Sequence, residues 1–200
     1  RAAGPLGRGA VSRPYVERLV QADPLSAVSQ VALTIQLYHE GRFEESLGPA
    51  RAAHRLQSLM GSSWLCWMLA MTGRTEELRD VYEPWAQTAP DHGWVLFAWG
   101  MLKAAEGSRD EVLAMYEKSA DLWAIAWEGD PHGVLGAAEI YAMIRETDEA
   151  MKWLERGLEM GIVDYPFFAH HDPCFEYLRP EPRFQELLER MKRASEELEV

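Results

Sequence analysis

The chain has 200 residues, 48% of them hydrophobic, which is enough for a packed core and excludes a disordered chain. Its formal charge of -12 repels phosphate backbones, so nucleic acid is not expected as a direct partner. No apolar run approaches the ~20 residues of a membrane span, and the two cysteines, Cys66 and Cys174, cannot form a disulfide framework and fit a reducing, cytoplasmic setting.

In chain order, residues 1–14 are rich in Gly, Ala, Arg and Pro and read as a linker or tag remnant. The folded region is expected to span 15–200. Asp23-Pro24 reads as a helix start, with Pro near the first helical position. Val28, Val31, Ala32, Ile35 and Tyr38 then recur at helical spacing, and Leu33 and Leu37 add a second apolar stripe. A helix apolar on two sides is sandwiched between neighbours, as an inner helix of a repeat array must be.

Four short segments line up along the chain. They are Gly41-Arg42-Phe43-Glu44-Glu45-Ser46, Gly73-Arg74-Thr75-Glu76-Glu77-Leu78, Gly107-Ser108-Arg109-Asp110-Glu111-Val112 and Arg145-Glu146-Thr147-Asp148-Glu149-Ala150, with starts 32, 34 and 38 residues apart. A Gly in the left-handed conformation closes one helix. Two acidic residues in the next first turn meet the positive end of its dipole and its unpaired N–H groups. Each segment therefore reads as a tight turn between antiparallel helices. Asp130-Pro131 marks another helix start, and no segment shows sustained strand alternation. Ile162–Phe168 comes nearest, but Pro166 interrupts it. At the C-terminus, Phe184, Leu187, Leu188, Met191 and Leu198 form one apolar stripe, as in a helix that covers the open end of an array.

A period of about 34, two helices per unit and Gly followed by acidic residues at the hairpin turn resemble tetratricopeptide repeats. The resemblance spans about residues 25–161, with Leu19 to Pro24 similar to the end of a preceding unit. It implies an all-α right-handed superhelix of about four hairpins, 25–58, 59–90, 91–129 and 130–161, with a C-terminal cap over 162–200. The small residue that the family favours early in the second helix is Ala150 in the last unit but Ser46, Leu78 and Val112 in the others. In the middle of the first helix, Gly100 and Ala138 fit, while Thr34 and Cys66 depart. Bulky Trp85 stands where the family favours Ala. The elements Tyr165-Pro166-Phe167-Phe168, Asp172-Pro173-Cys174-Phe175, Leu178-Arg179 and Pro182-Arg183-Phe184 resemble the ending of repeat regions in bacterial signalling proteins. There the repeats follow a kinase, cyclase or DNA-binding domain.

In that family the first helix of each pair lines the concave surface. By position this assigns Val31, Ile35, Tyr38 and His39 from the first unit, Met60, Trp67 and Met71 from the second, Trp94, Phe97 and Met101 from the third, and His132, Leu135, Glu139 and Met143 from the fourth. The set lacks the Lys, Asn and Arg ladder of carboxylate-clamping members. An aromatic, Met-rich groove suits an amphipathic helix or apolar peptide. The same residues also fit inter-repeat core, and Phe167, Phe168 and Phe175 are able to fill the groove in cis.

Chemistry-bearing clusters are sparse. His170-His171-Asp172-Pro173-Cys174 contains metal-ligating types, but a structural zinc site needs four ligands and no second pair is evident. Asp172 before Pro173 has a simpler role as a helix cap. A Cys174 nucleophile with His170 or His171 lacks any sign of thiol activation, and no phosphate loop, kinase loop or serine elbow is present. The eight tryptophans, with Trp64 and Met68 on one helical face and Trp123 and Trp127 on another, fit core packing before a carbohydrate site. The expectation is a non-enzymatic protein-interaction module without cofactor or metal. It takes a peptide or partner domain in the groove, as a regulatory part of a bacterial signalling protein. The alternatives are a scaffold with a self-filled groove or, less favoured, a metal or small-ligand sensor.

Overall fold

A computed structural model describes residues 9–118 and 130–197 of the chain. Among these residues the protein is all-helical, with no strand. After α1 (Gly9–Ala22) come α2 (Ala27–His39) and α3 (Phe43–Arg55), α4 (Leu59–Met71) and α5 (Thr75–Thr88), α6 (Gly93–Ala105) and α7 (Arg109–Lys118), and α8 (Pro131–Met143) and α9 (Thr147–Glu159). A π-turn (Phe167–His171) and a 3-10 turn (Pro173–Leu178) lead to α10 (Pro182–Glu197).

The turns form for the reason the repeated segments suggest. Gly41, Gly73 and Gly107 have φ of 69°, 70° and 75°, where a side chain is disfavoured. At the fourth turn Arg145 takes the same conformation, with φ of 65°. The first helices of the four pairs are capped by Ser26, Ser58, His92 and Asp130, whose side chains each accept from a backbone N–H of the first turn. Asp23 accepts from the Leu25 N–H and shapes the preceding turn, so the start of α2 lies later than Asp23-Pro24 suggests. Helix α1 also corrects the linker reading of residues 9–14. It packs on α2, and Ser12 Oγ donates to Gln36 Oε1 at 2.5 Å.

Helices α2, α4, α6 and α8 pack on one another in sequence, giving a repeat-like inner layer. Two of them are enclosed on all sides: every residue is buried from Gly61 to Ala70 in α4 and from Gly133 to Ala142 in α8. Gly61 permits the close α3–α4 approach, since a Cβ there would lie 2.7 Å from the Ala53 backbone. The outer helices bury one stripe each and join neighbouring units through ion pairs, including Arg74–Glu44, Arg51–Glu77, Arg79–Glu106 and Arg109–Glu146. Helix α10 buries Phe184, Leu187, Leu188 and Met191 and packs on α9. Leu198, Trp123 and Trp127 lie outside the described residues.

Candidate functional site

One side of the inner layer is an aromatic surface. Trp64 and Trp67, one turn apart on α4, stack at 4.5 Å and 14°. Tyr38 from α2 lies 5.2 Å from Trp67, and Phe97 from α6 meets Trp67 edge-on at 5.0 Å. Phe97 is admitted by Gly136 of α8, where a Cβ would sit 2.5 Å from the Phe97 ring.

The chain itself covers this surface. Residues 163–178, here called the strap, leave α9 and cross the inner layer. Phe167 lies 4.7 Å from the Tyr38 ring and 5.5 Å from the His39 ring. Rings then continue from Phe167 to Phe168, Phe175 and Phe184, at successive centroid distances of 5.5, 5.8 and 6.0 Å. All four are buried, so the strap joins groove and terminal helix into one core.

Two polar anchors fix the strap. At the first, Asp164 Oδ2 is 3.0 Å from His39 Nδ1, both buried. Burial lowers the His39 pKa, opposed by the hydrogen bond and charge of Asp164. The rings of His39 and His132 are 5.9 Å apart, and the buried Nε2 of each lacks a hydrogen-bond partner.

The second anchor centres on Glu139 of α8, which is fully buried. The Tyr38 hydroxyl donates to Glu139 Oε1 and the Trp67 indole N–H to Oε2. Asp172 of the strap is likewise fully buried, and its charge acts on Glu139. Burial raises the Glu139 pKa well above the carboxylate range, and the Asp172 charge adds to this. Burial likewise pushes Asp172 up to about 7. Asp172 Oδ1 also caps the 3-10 turn by accepting from the Cys174 N–H at 2.8 Å.

The structure thus brings most of the sequence-assigned groove residues together, but beneath the strap or within the inter-helix core. Val31, Tyr38, His39, Trp67, Phe97, Met101, Leu135 and Glu139 are buried. Ile35, Met71, Trp94 and Met143 are partly buried against the same core, with Cys174 Sγ 3.6 Å from Met71 Sδ. Met60 stands apart, 48% exposed at the start of α4. No family model matches the chain, and neither a curated protein nor a solved structure matches it.

His170 and His171 are both exposed, with ring centroids 6.4 Å apart. No group of three or more His, Cys, Asp or Glu side chains is placed to hold a metal among the described residues. Burial, with Asp172 and Glu139 beside it, raises the Cys174 thiol well above its ordinary pKa, the reverse of nucleophile activation. The other thiol, Cys66, is raised by burial to about 12. No described helix is long and apolar enough to cross a membrane. The buried roles of Asp164, Glu139 and Asp172 escaped the sequence reading. The available signal was one acidic residue inside the apolar run Gly133–Met143, which must find buried partners.

Proposed function

We propose that the protein is a non-enzymatic, tetratricopeptide-like interaction scaffold that holds its own strap in the groove where such scaffolds take a partner's segment. The observation that carries this reading is the seating of Phe167 on Tyr38 and His39, with Phe168 and Phe175 buried behind it. An aromatic surface of this extent, left bare, is a ready site for an apolar segment. Here the cis segment has the advantage of high effective concentration over any partner in trans. The self-filled groove is therefore preferred to a permanently open one. The resemblance of the tail to the endings of bacterial signalling proteins supports a regulatory setting, in which the strap keeps the groove closed until it is released.

The test is a fluorescently labelled peptide of residues 163–178, titrated into the full chain and into a Phe167→Ala/Phe168→Ala variant whose helicity has been checked. The variant is expected to bind and the wild type is not. Equal binding by both would mean that the groove is open. Binding by neither, with the variant folded, would remove the groove as a segment-binding surface.

A further inference from the structure

Two sulfur atoms meet where the strap crosses the end of α4. The Cys174 thiol of the strap donates to the Met71 thioether, with Sγ 3.6 Å from Sδ. Both residues line a surface hollow of about 350 Å³, and Met143 of α8 lines it with them. Ala70, Ala104 and Ala142 give it a wall of small residues. All three sulfur residues are half-buried, so a small solute reaches them from solvent.

The field in the hollow favours a cation. Met71, Ala105 and Met143 are the last residues of α4, α6 and α8, so three helix C-termini, the negative ends of their dipoles, converge there. Burial, followed by Asp172 and Glu139, holds a proton on the Cys174 sulfur. A metal ion neutralises the thiolate as that proton does, and so takes its place in the same field. Arg145, at the rim, opposes this. It is the smallest of these influences on Cys174, and its guanidinium lies over the Tyr177 ring at 4.0 Å.

Ligand softness selects the ion. Thioether and thiolate sulfur suit Cu(I) better than harder cations. No three His, Cys, Asp or Glu side chains converge among the described residues, which disfavours Zn(II). Two sulfurs 3.6 Å apart, each ~2.3 Å from one ion, subtend about 103°. That angle belongs to three- or four-coordinate geometry and leaves a place for a further ligand, which Met143 supplies from the same hollow. We propose that Cys174, Met71 and Met143 form a binding site for a soft monovalent cation, Cu(I), which ties the strap to the inner helices. The thiol proton leaves to solvent as the Cu–S bond forms, and no electron is transferred. The site goes beyond the scaffold reading but rests on the closed strap, since Cys174 reaches Met71 only from there. A bound ion cross-links the strap to α4 and α8 and holds the groove shut.

The test is anaerobic titration of the reduced full chain with Cu(I) held by a chromogenic chelator. The Phe167–Tyr38 ring cross-peak in nuclear Overhauser spectra of the same sample reports whether the strap is seated. The wild type is expected to withdraw an equimolar amount of Cu(I), with sulfur neighbours in the X-ray absorption spectrum. Cys174→Ser and Met71→Leu should each weaken the affinity about tenfold or more, and Met143→Leu should weaken it less. Withdrawal of no Cu(I) by wild type with a seated strap, or equal withdrawal by a folded Cys174→Ser or Met71→Leu variant, would overturn the site and leave the closed groove standing. A wild type that lacks the ring cross-peak would overturn the closed groove itself, and the site with it.

Discussion

Phe167 packs 4.7 Å from Tyr38, linking the strap to the first inner helix across most of the chain's length. Because Tyr38 also donates to Glu139, one residue serves both the aromatic and the polar anchoring of the strap. Loss of either partner should therefore be felt by the whole inner layer.

Truncating Phe167 to Ala leaves a cavity under a fully buried ring and is expected to cost about 3–5 kcal/mol. Thermal or urea unfolding checks this. A cost near that of an exposed site would mean the ring is not seated in the core. Phe97→Glu, an obvious probe of an open groove, is expected to unfold the chain instead, because Phe97 is fully buried between Trp67 and Gly136.

Gly136→Ala brings a Cβ within 2.5 Å of the Phe97 ring, on a helix enclosed on all sides. Overpacking of this kind costs about 1–3 kcal/mol, so the substitution should lower the Tm despite the better helix propensity of Ala. An unchanged or higher Tm would show that Phe97 and Gly136 do not approach in this way.

Gln57 has φ of 56° and an exposed side chain, so its left-handed conformation is borne without an evident return. Gln57→Gly should stabilise the fold by up to ~1 kcal/mol, measured by urea titration. The same exchange at Arg145 should gain less, because it also removes the guanidinium from the Tyr177 ring.

The raised carboxyl pair gives a signed pH dependence. Its stabilisation is full below the unfolded-state values of about 4 and is lost as the pH rises through the folded value, about 7 for Asp172. The Tm of Glu139→Gln relative to wild type should therefore increase from about pH 5 to about pH 8. Differential scanning calorimetry of both proteins reads this directly. A constant difference would mean that the pair does not titrate in this range. The His39 contribution has the opposite sign: it is present above the unfolded value near 6.5 and lost as the pH falls through the lowered folded value. His39 is common to both proteins, so the comparison largely cancels it.

The hairpins were legible because local chemistry repeats. Gly41, Gly73 and Gly107 take the left-handed turn that the aligned segments require, and Arg145 stands at the fourth such turn. The shared surface of Tyr38, Trp67, Phe97 and Glu139 was legible only through the repeat resemblance, which assigns them by position to the first helices of their units. What periodicity does not encode is which segment lies on that surface. The aromatic residues of the tail and the groove look alike in composition, so only three-dimensional packing distinguishes a filled groove from an open one. Asp164 and Asp172 were obscure for a related reason. Their partners, His39 and Glu139, are distant in sequence, and Asp172 next to Pro173 is fully explained locally as a cap.

The strap lies in cis on the ring surface of the inner helices. Nuclear Overhauser spectroscopy on protein with labelled Phe and Tyr rings tests it most directly. Cross-peaks are expected between the Phe167 and Tyr38 rings and between the Phe168 and Phe175 rings, whose centroids lie 4.7 and 5.8 Å apart. Phe167 resonances at random-coil positions, without any contact to Tyr38, would contradict it.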